Sequence, residues 1–152
     1  MAVVKVYFDT NVLVAALKTE HPHHPASFAA LARVHGGRIH GYIAAHGLAE
    51  LYSVLTRAPF ASPVYPEEAL RLITESIQPF FNIVDLSSKA YLGAITACGT
   101  AGWKGGRIHD VVHLQAARQA KCDRIYTYNL ADFHAIAPEL ATRIQNPALP
   151  RR

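Results

Sequence analysis

VYFDTNVLVAAL, residues Val6 to Leu17, is the stretch on which the fold turns. It is aliphatic and aromatic at both ends, yet Asp9-Thr10-Asn11 interrupts it. An ionised aspartate placed in a core is costly unless something pairs with it. Val3 to Phe8 (VVKVYF) is β-branched and aromatic and reads as a buried strand, and a helix is expected from Asn11 to Lys18. Asp9 then falls at the join between the two.

Further elements follow outward from that join. Helices are expected over Ala26–His35, which stops at Gly36-Gly37, and over His46–Arg57, which stops at Ala58-Pro59. Others are expected over Pro66–Ile77, Ser88–Cys98 and Ile108–Lys121. Strands are expected over Arg38–Ala44, Phe80–Val84, Asp123–Thr127 and, short and last, Arg143–Gln145. Gly99 to Gly106 reads as a glycine-rich loop, and His21-Pro22-His23-His24-Pro25 as a break. Strands separated by helices predict a parallel sheet covered by helices, with chemistry beyond the carboxyl ends of the strands. Asp9 lies at such an end.

The 152 residues suit one domain, and 51% apolar content excludes a disordered chain. No run is long enough to span a bilayer, and the N-terminus lacks the pattern of a signal peptide. Cys98 and Cys122 stand alone, without zinc-type spacing, and read as reduced thiols of a cytoplasmic protein. The net charge of +4 suits an anionic partner such as nucleic acid, although Arg151 and Arg152 in the tail supply part of it.

Four acids stand out, each with a bland reading beside it. Asp9 suits a helix cap, but three polar residues between apolar runs exceed what a cap needs. Asp110 in GGRIHDVVHLQAA shares a helical stripe with His113, Leu114 and Ala117, which face inward; it equally suits a first helical turn. Asp132 follows the strand DRIYTY in a loop beginning at Asn129, where a turn or cap is the ordinary role. Glu50 lies opposite the stripe of Leu48, Leu51, Tyr52 and Leu55, near Gly47 and Val54, so periodicity sends it to solvent unless that side lines a cleft.

Taken together, FDTNVLVAAL, AELYSVLTR, GGRIHDVVHLQAA and IYTYNLADF resemble the PIN-domain ribonucleases, especially the VapC-type toxins of bacterial toxin–antitoxin pairs. The resemblance runs along nearly the whole chain, in the family's order. It implies a three-layer α/β/α sandwich around a mainly parallel sheet. It also implies that Asp9, Glu50, Asp110 and Asp132 hold Mg²⁺ or Mn²⁺ and cleave RNA, supported by Thr10, Asn11, Asn129 and His113. A small antitoxin partner and a homodimer are implied by the resemblance alone. Where the family often carries Ser or Thr before the Glu helix, this chain has Ala45-His46-Gly47.

Ionic chemistry agrees with that reading. Mg²⁺ takes oxygen ligands, commonly one or two carboxylates. Clustered carboxylates raise one another's pKa until a cation arrives. For the RNA, the loop GTAGWKGGR offers Lys104 and Arg107 to phosphate and Trp103 to an unpaired base; Trp103 packed on the core is the alternative.

Three other readings remain. His109-Asp110-x-x-His113 has the two-His spacing of a zinc hydrolase. Asp9-Thr10-Asn11 is reminiscent of aspartyl-nucleophile phosphatases, with Asn11 where a second Asp is needed. A housekeeping nuclease or a non-catalytic nucleic-acid-binding module needs no antitoxin. The cluster His21, His23, His24 reads as a solvated loop.

Overall fold

The computed structural model describes residues 2–148, so Arg151 and Arg152 lie outside the described residues. Strand β1 (Lys5–Phe8) is central and pairs in parallel on both sides. Its partners are β2 (His40–Ala44) and β4 (Arg124–Tyr126). With β3 (Asn82–Val84) beside β2 and β5 (Ile144–Gln145) beside β4, the sheet runs β3-β2-β1-β4-β5 and is parallel throughout.

Alternation along β1 explains why helices cover both faces. Val6 and Phe8 point to one side, into a core with helix α1 (Thr10–Leu17), α2 (His24–His35), α3 (Ala45–Arg57) and α4 (Pro66–Leu72). Tyr7 points to the other side, among Leu114, Ala117, Ile125 and Phe133. That layer holds α6 (Arg107–Gln119) and α7 (Leu130–Ile136), while α5 (Ser88–Ala101) packs on α6 through Ala94, Cys98, Val111 and Val112. The result is the three-layer α/β/α arrangement, and no described helix is long and apolar enough to cross a membrane.

Several boundaries differ from the sequence reading. α2 begins at His24 because Pro25 sits in its first turn, where a missing N–H is harmless. The helix expected over Pro66–Ile77 is α-helical to Leu72 and then π-helical over Ile73–Ile77. Eight α-helical steps would turn Ile77 about 80° away from Ala69; the wider turn brings it back, and both are fully buried. α5 runs on through Gly99 to Ala101 and stops at Gly102, whose φ of 76° glycine adopts without strain, so the loop is only 102–106. The segment expected to be a loop around Asp132 is the helix α7.

The sheet order places the strand-order reversal at β1. The chain builds β1, β2 and β3 outward, then returns to lay β4 on the opposite side of β1. Helices therefore diverge above the carboxyl end of β1, leaving a crevice there. Cys98 and Cys122 are both free and buried, and burial pushes the Cys122 thiol up to about 12, which leaves it unreactive.

Candidate metal centre

Asp9 follows β1 directly and is also the N-cap of α1, so the cap reading and the site reading both hold. It is only 5% exposed. Its Oδ1 accepts from the Thr10 backbone N–H at 2.8 Å, and its Oδ2 accepts from the Thr127 hydroxyl at 2.8 Å. His113 Nε2 lies 3.5 Å from Oδ1. Burial raises the Asp9 pKa more than His113 and Thr127 lower it. The carboxylate therefore has partners within the chain: Thr10 and His113 are among the expected supports, whereas Thr127 is not.

Glu50 reaches the same place from α3. The expected apolar stripe holds for Leu51 and Leu55, which are fully buried, but Tyr52 is 41% exposed. The helix is turned so that Gly47 is buried, with Ile43 and His113 beside it. Glu50 thus looks into the crevice rather than to solvent. Its Oε1 accepts from His113 Nε2 at 3.0 Å. Although burial works against ionisation, His113 holds the carboxyl down to about 2.

His113 is the hub of the buried side, at 1% exposed. The Tyr7 hydroxyl accepts from the Ala44 backbone N–H at 3.1 Å and lies 2.6 Å from His113 Nδ1. Burial raises the Tyr7 pKa, so its proton is kept; the hydroxyl donates to Nδ1 when the ring is neutral and accepts from Nδ1–H when the ring is charged. Nε2 then carries a proton toward Glu50 whether the ring is neutral or charged. Burial disfavours the charged ring, but Glu50 and Asp9 outweigh it and raise its pKa.

Asp110 comes from the first turn of α6, with Oδ2 accepting from Asn129 Nδ2 at 3.1 Å. Burial first, and then the nearby Asp9, push its carboxyl up to about 6. Asp9, Thr10, Asn11, Glu50, Asp110 and Asn129 line one cleft of ≈ 370 Å³. Asn11 Oδ1 accepts from the Tyr128 N–H at 3.3 Å, tying α1 to the segment after β4. Asp132 is not among the lining residues; it forms an ion pair with Arg107 at 3.1 Å and adds to the negative field on Asp110.

The glycine-loop residues separate. Trp103 packs against the α5–α6 contact, Arg107 is engaged by Asp132, and Lys104 is exposed. The two-His zinc spacing does not assemble: His113 is enclosed with Tyr7, Glu50 and Asp9, while His109 turns outward to His46 and Glu50. Of the cluster His21, His23 and His24, His23 stacks on Tyr128 and His24 bonds the Ala15 carbonyl.

A family model for the PIN domain matches residues 6–137. The chain belongs to the PIN domain family. Solved PIN-fold structures superpose over almost its full length. VapC20 of Mycobacterium tuberculosis, a sarcin–ricin loop cleaving toxin, has a TM-score of 0.66 at 13% identity, covering 86% of this chain and 93% of that one. VapBC2 from Rickettsia felis, bound to a promoter DNA fragment, has a TM-score of 0.65 at 19% identity, covering 94% and 98%. FitAcB from Neisseria gonorrhoeae has a TM-score of 0.64 at 21% identity, covering 93% and 97%. No curated protein is a significant sequence match.

The donor set of this PIN domain fits a hard divalent cation. Asp9 and Glu50 have oxygens within ligand reach of one another beside His113, and Asp110 lines the same cleft; burial and a neighbouring carboxylate raise the pKa of Asp9 and of Asp110. The Thr10 hydroxyl is buried in the cleft wall, with no hydrogen bond of good geometry among the described residues, and it stands near enough to Glu50 to help lower that carboxyl's pKa. A polar group placed so is open to an added water or ion.

Proposed function

We propose that residues 1–152 form a single PIN nuclease domain that hydrolyses RNA with Mg²⁺ or Mn²⁺ and serves as the toxin of a toxin–antitoxin pair. The observation that carries this reading is the meeting of Asp9, Glu50 and Asp110, from three separate elements, in one cleft where the parallel strands end. When bound, the cation supplies a water of lowered pKa and stabilises charge developing on the phosphate.

The chain's own residues prepare that chemistry. Asp9, Glu50 and Asp110 would hold the ion. Thr10 and Thr127 fix both Asp9 oxygens, His113 backed by Tyr7 fixes Glu50, and Asn129 fixes Asp110. Asp132 would support from outside the cleft lining through its ion pair with Arg107, whose charge acts on Asp110 and would favour an approaching phosphate. Lys104 is free to add a second phosphate contact. The toxin role rests on likeness to VapC20, VapBC2 and FitAcB. The antitoxin partner and a second copy of the chain rest on that likeness and on no contact within this chain.

The test is cleavage of structured RNAs by the purified chain. Cleavage is expected with Mg²⁺ or Mn²⁺ and not with EDTA. Losing a partner that merely orients a metal ligand costs about 10–100-fold, so Asp9→Asn should slow cleavage by at least that much. Full activity in Asp9→Asn, or undiminished activity in EDTA, would overturn the assignment.

A further inference from the structure

A second donor set stands on the rim of the cleft. His46 and Glu50 are one turn apart on α3 and share a face. His109, on the first turn of α6, comes up against them. The His46 and His109 rings lie edge to edge, hydrogen-bonded through their facing nitrogens, with centroids 4.9 Å apart and planes 14° from parallel. His46 Nε2 and His109 Nδ1 are 2.8 Å apart, and Glu50 Oε2 lies 3.7 Å from the first and 3.8 Å from the second.

Those three edges bracket the about 3.3–3.4 Å that separates ligand atoms around a tetrahedral zinc with bonds of about 2.0–2.1 Å. Shifts of about 0.5 Å per edge close the triangle, within the reach of χ rotations. Two imidazoles and a carboxylate with an open fourth position suit zinc rather than Mg²⁺, which prefers oxygen alone. His109 is 49% exposed, so the fourth position opens to solvent. The donors therefore divide between a carboxylate cleft, where His113 Nε2 stands against Glu50 and Asp9, and a histidine-rich rim, with Glu50 common to both.

We propose that His46, Glu50 and His109 bind a divalent cation of the zinc class, and that its occupation restrains cleavage by drawing Glu50 away from the carboxylate cleft. Glu50 serves the cleft while Oε1 is held by His113; a cation on Oε2 pulls the carboxylate toward the rim. The binding half stands on geometry alone, whereas the restraint rests on the nuclease reading above.

Zinc binding to the full chain is measured by competition with a chromogenic chelator, and by Co²⁺ absorption, in Mg²⁺ buffer without RNA. One equivalent is expected to bind. His46→Gln and His109→Gln should each weaken it at least about tenfold, and Asp110→Asn should leave it unchanged. Unaltered zinc affinity in both histidine variants, or a comparable loss in Asp110→Asn, would overturn the site. In the cleavage assay one equivalent of Zn²⁺ should slow the wild type but not the two histidine variants; equal slowing of all three would overturn the restraint. A chain that binds zinc as described yet cleaves no RNA would keep the site and refute the nuclease reading together with the restraint. A chain that cleaves RNA but holds no zinc would do the reverse.

Discussion

Replacing Asp110 by Asn removes a carboxylate from a crowd of its own sign while keeping an acceptor for Asn129. In the metal-free protein the Asp110 pKa is raised from 3.8 to about 6, by burial first and by Asp9 second. At 1.36 kcal/mol per pH unit, that gap corresponds to about 3 kcal/mol. The carboxyl is only part-buried, so solvent screening reduces this to about 1–2 kcal/mol. The folded protein holds the proton more tightly than the unfolded chain, so ionisation works against folding. The penalty is absent below pH 3.8, grows as pH rises toward 6, and is complete above it. Asp110→Asn should therefore match the wild type in stability near pH 4 and exceed it above pH 6.5. For a chain of this size the expected gain is about 3–6 °C in melting temperature. Thermal scans in EDTA at pH 4, 5.5 and 7.5 measure this. Mg²⁺ should raise the wild-type melting temperature at pH 7.5 and do little for the variant. A variant that is less stable than the wild type at pH 7.5 in EDTA would refute the claim that the apo carboxylates repel one another.

Thr127→Val should cost about 1.5–3 kcal/mol in urea unfolding, because it strips a charge-assisted bond from the buried Asp9. An unchanged midpoint would mean that Thr127 does not hold the carboxylate. His113→Leu leaves Asp9 and Glu50 facing each other without their shared partner; a loss of about 2–4 kcal/mol at pH 7 is expected, with the Glu50 pKa by NMR rising from about 2. A Glu50 pKa that stays put would show that His113 is not what lowers it. Gly41→Ala would set a Cβ 2.7 Å from the Phe81 ring and 3.0 Å from Val34, overpacking the core by about 1–3 kcal/mol in the same assay. A neutral Ala there would mean that Phe81 yields freely.

The position of Asp9 was legible because a β-branched and aromatic run ends at Phe8 and a helix is expected from Asn11, so Asp9 falls at the join. Asp110 and His113 were legible together from the stripe they share with Leu114 and Ala117. Glu50 was not, since helical periodicity reports which side is apolar, and here a crevice lies against the polar side. Gly47, with His113 beside it, was the available signal: a small residue on a supposed solvent face permits close packing. Tyr7 and Thr127 were missed because their partners stand more than 100 residues away in the chain. A tyrosine in a central strand whose hydroxyl must be satisfied was a clue to the first. The zinc-like spacing of His109 to His113 was only a rival reading, and the two side chains go to different neighbours; what the sequence did not reveal is that His109 meets His46, 63 residues away in the chain.

Central to the account is that Asp9, Glu50 and Asp110 converge to hold one class of cation. Anomalous diffraction from crystals of the protein soaked in Mn²⁺ tests this most directly. The predicted result is a peak within about 2.0–2.4 Å of carboxylate oxygens of at least two of these three residues, lost in Asp9→Asn. An ordered Mn²⁺ elsewhere with none in the cleft, or a peak that survives in Asp9→Asn, would contradict it.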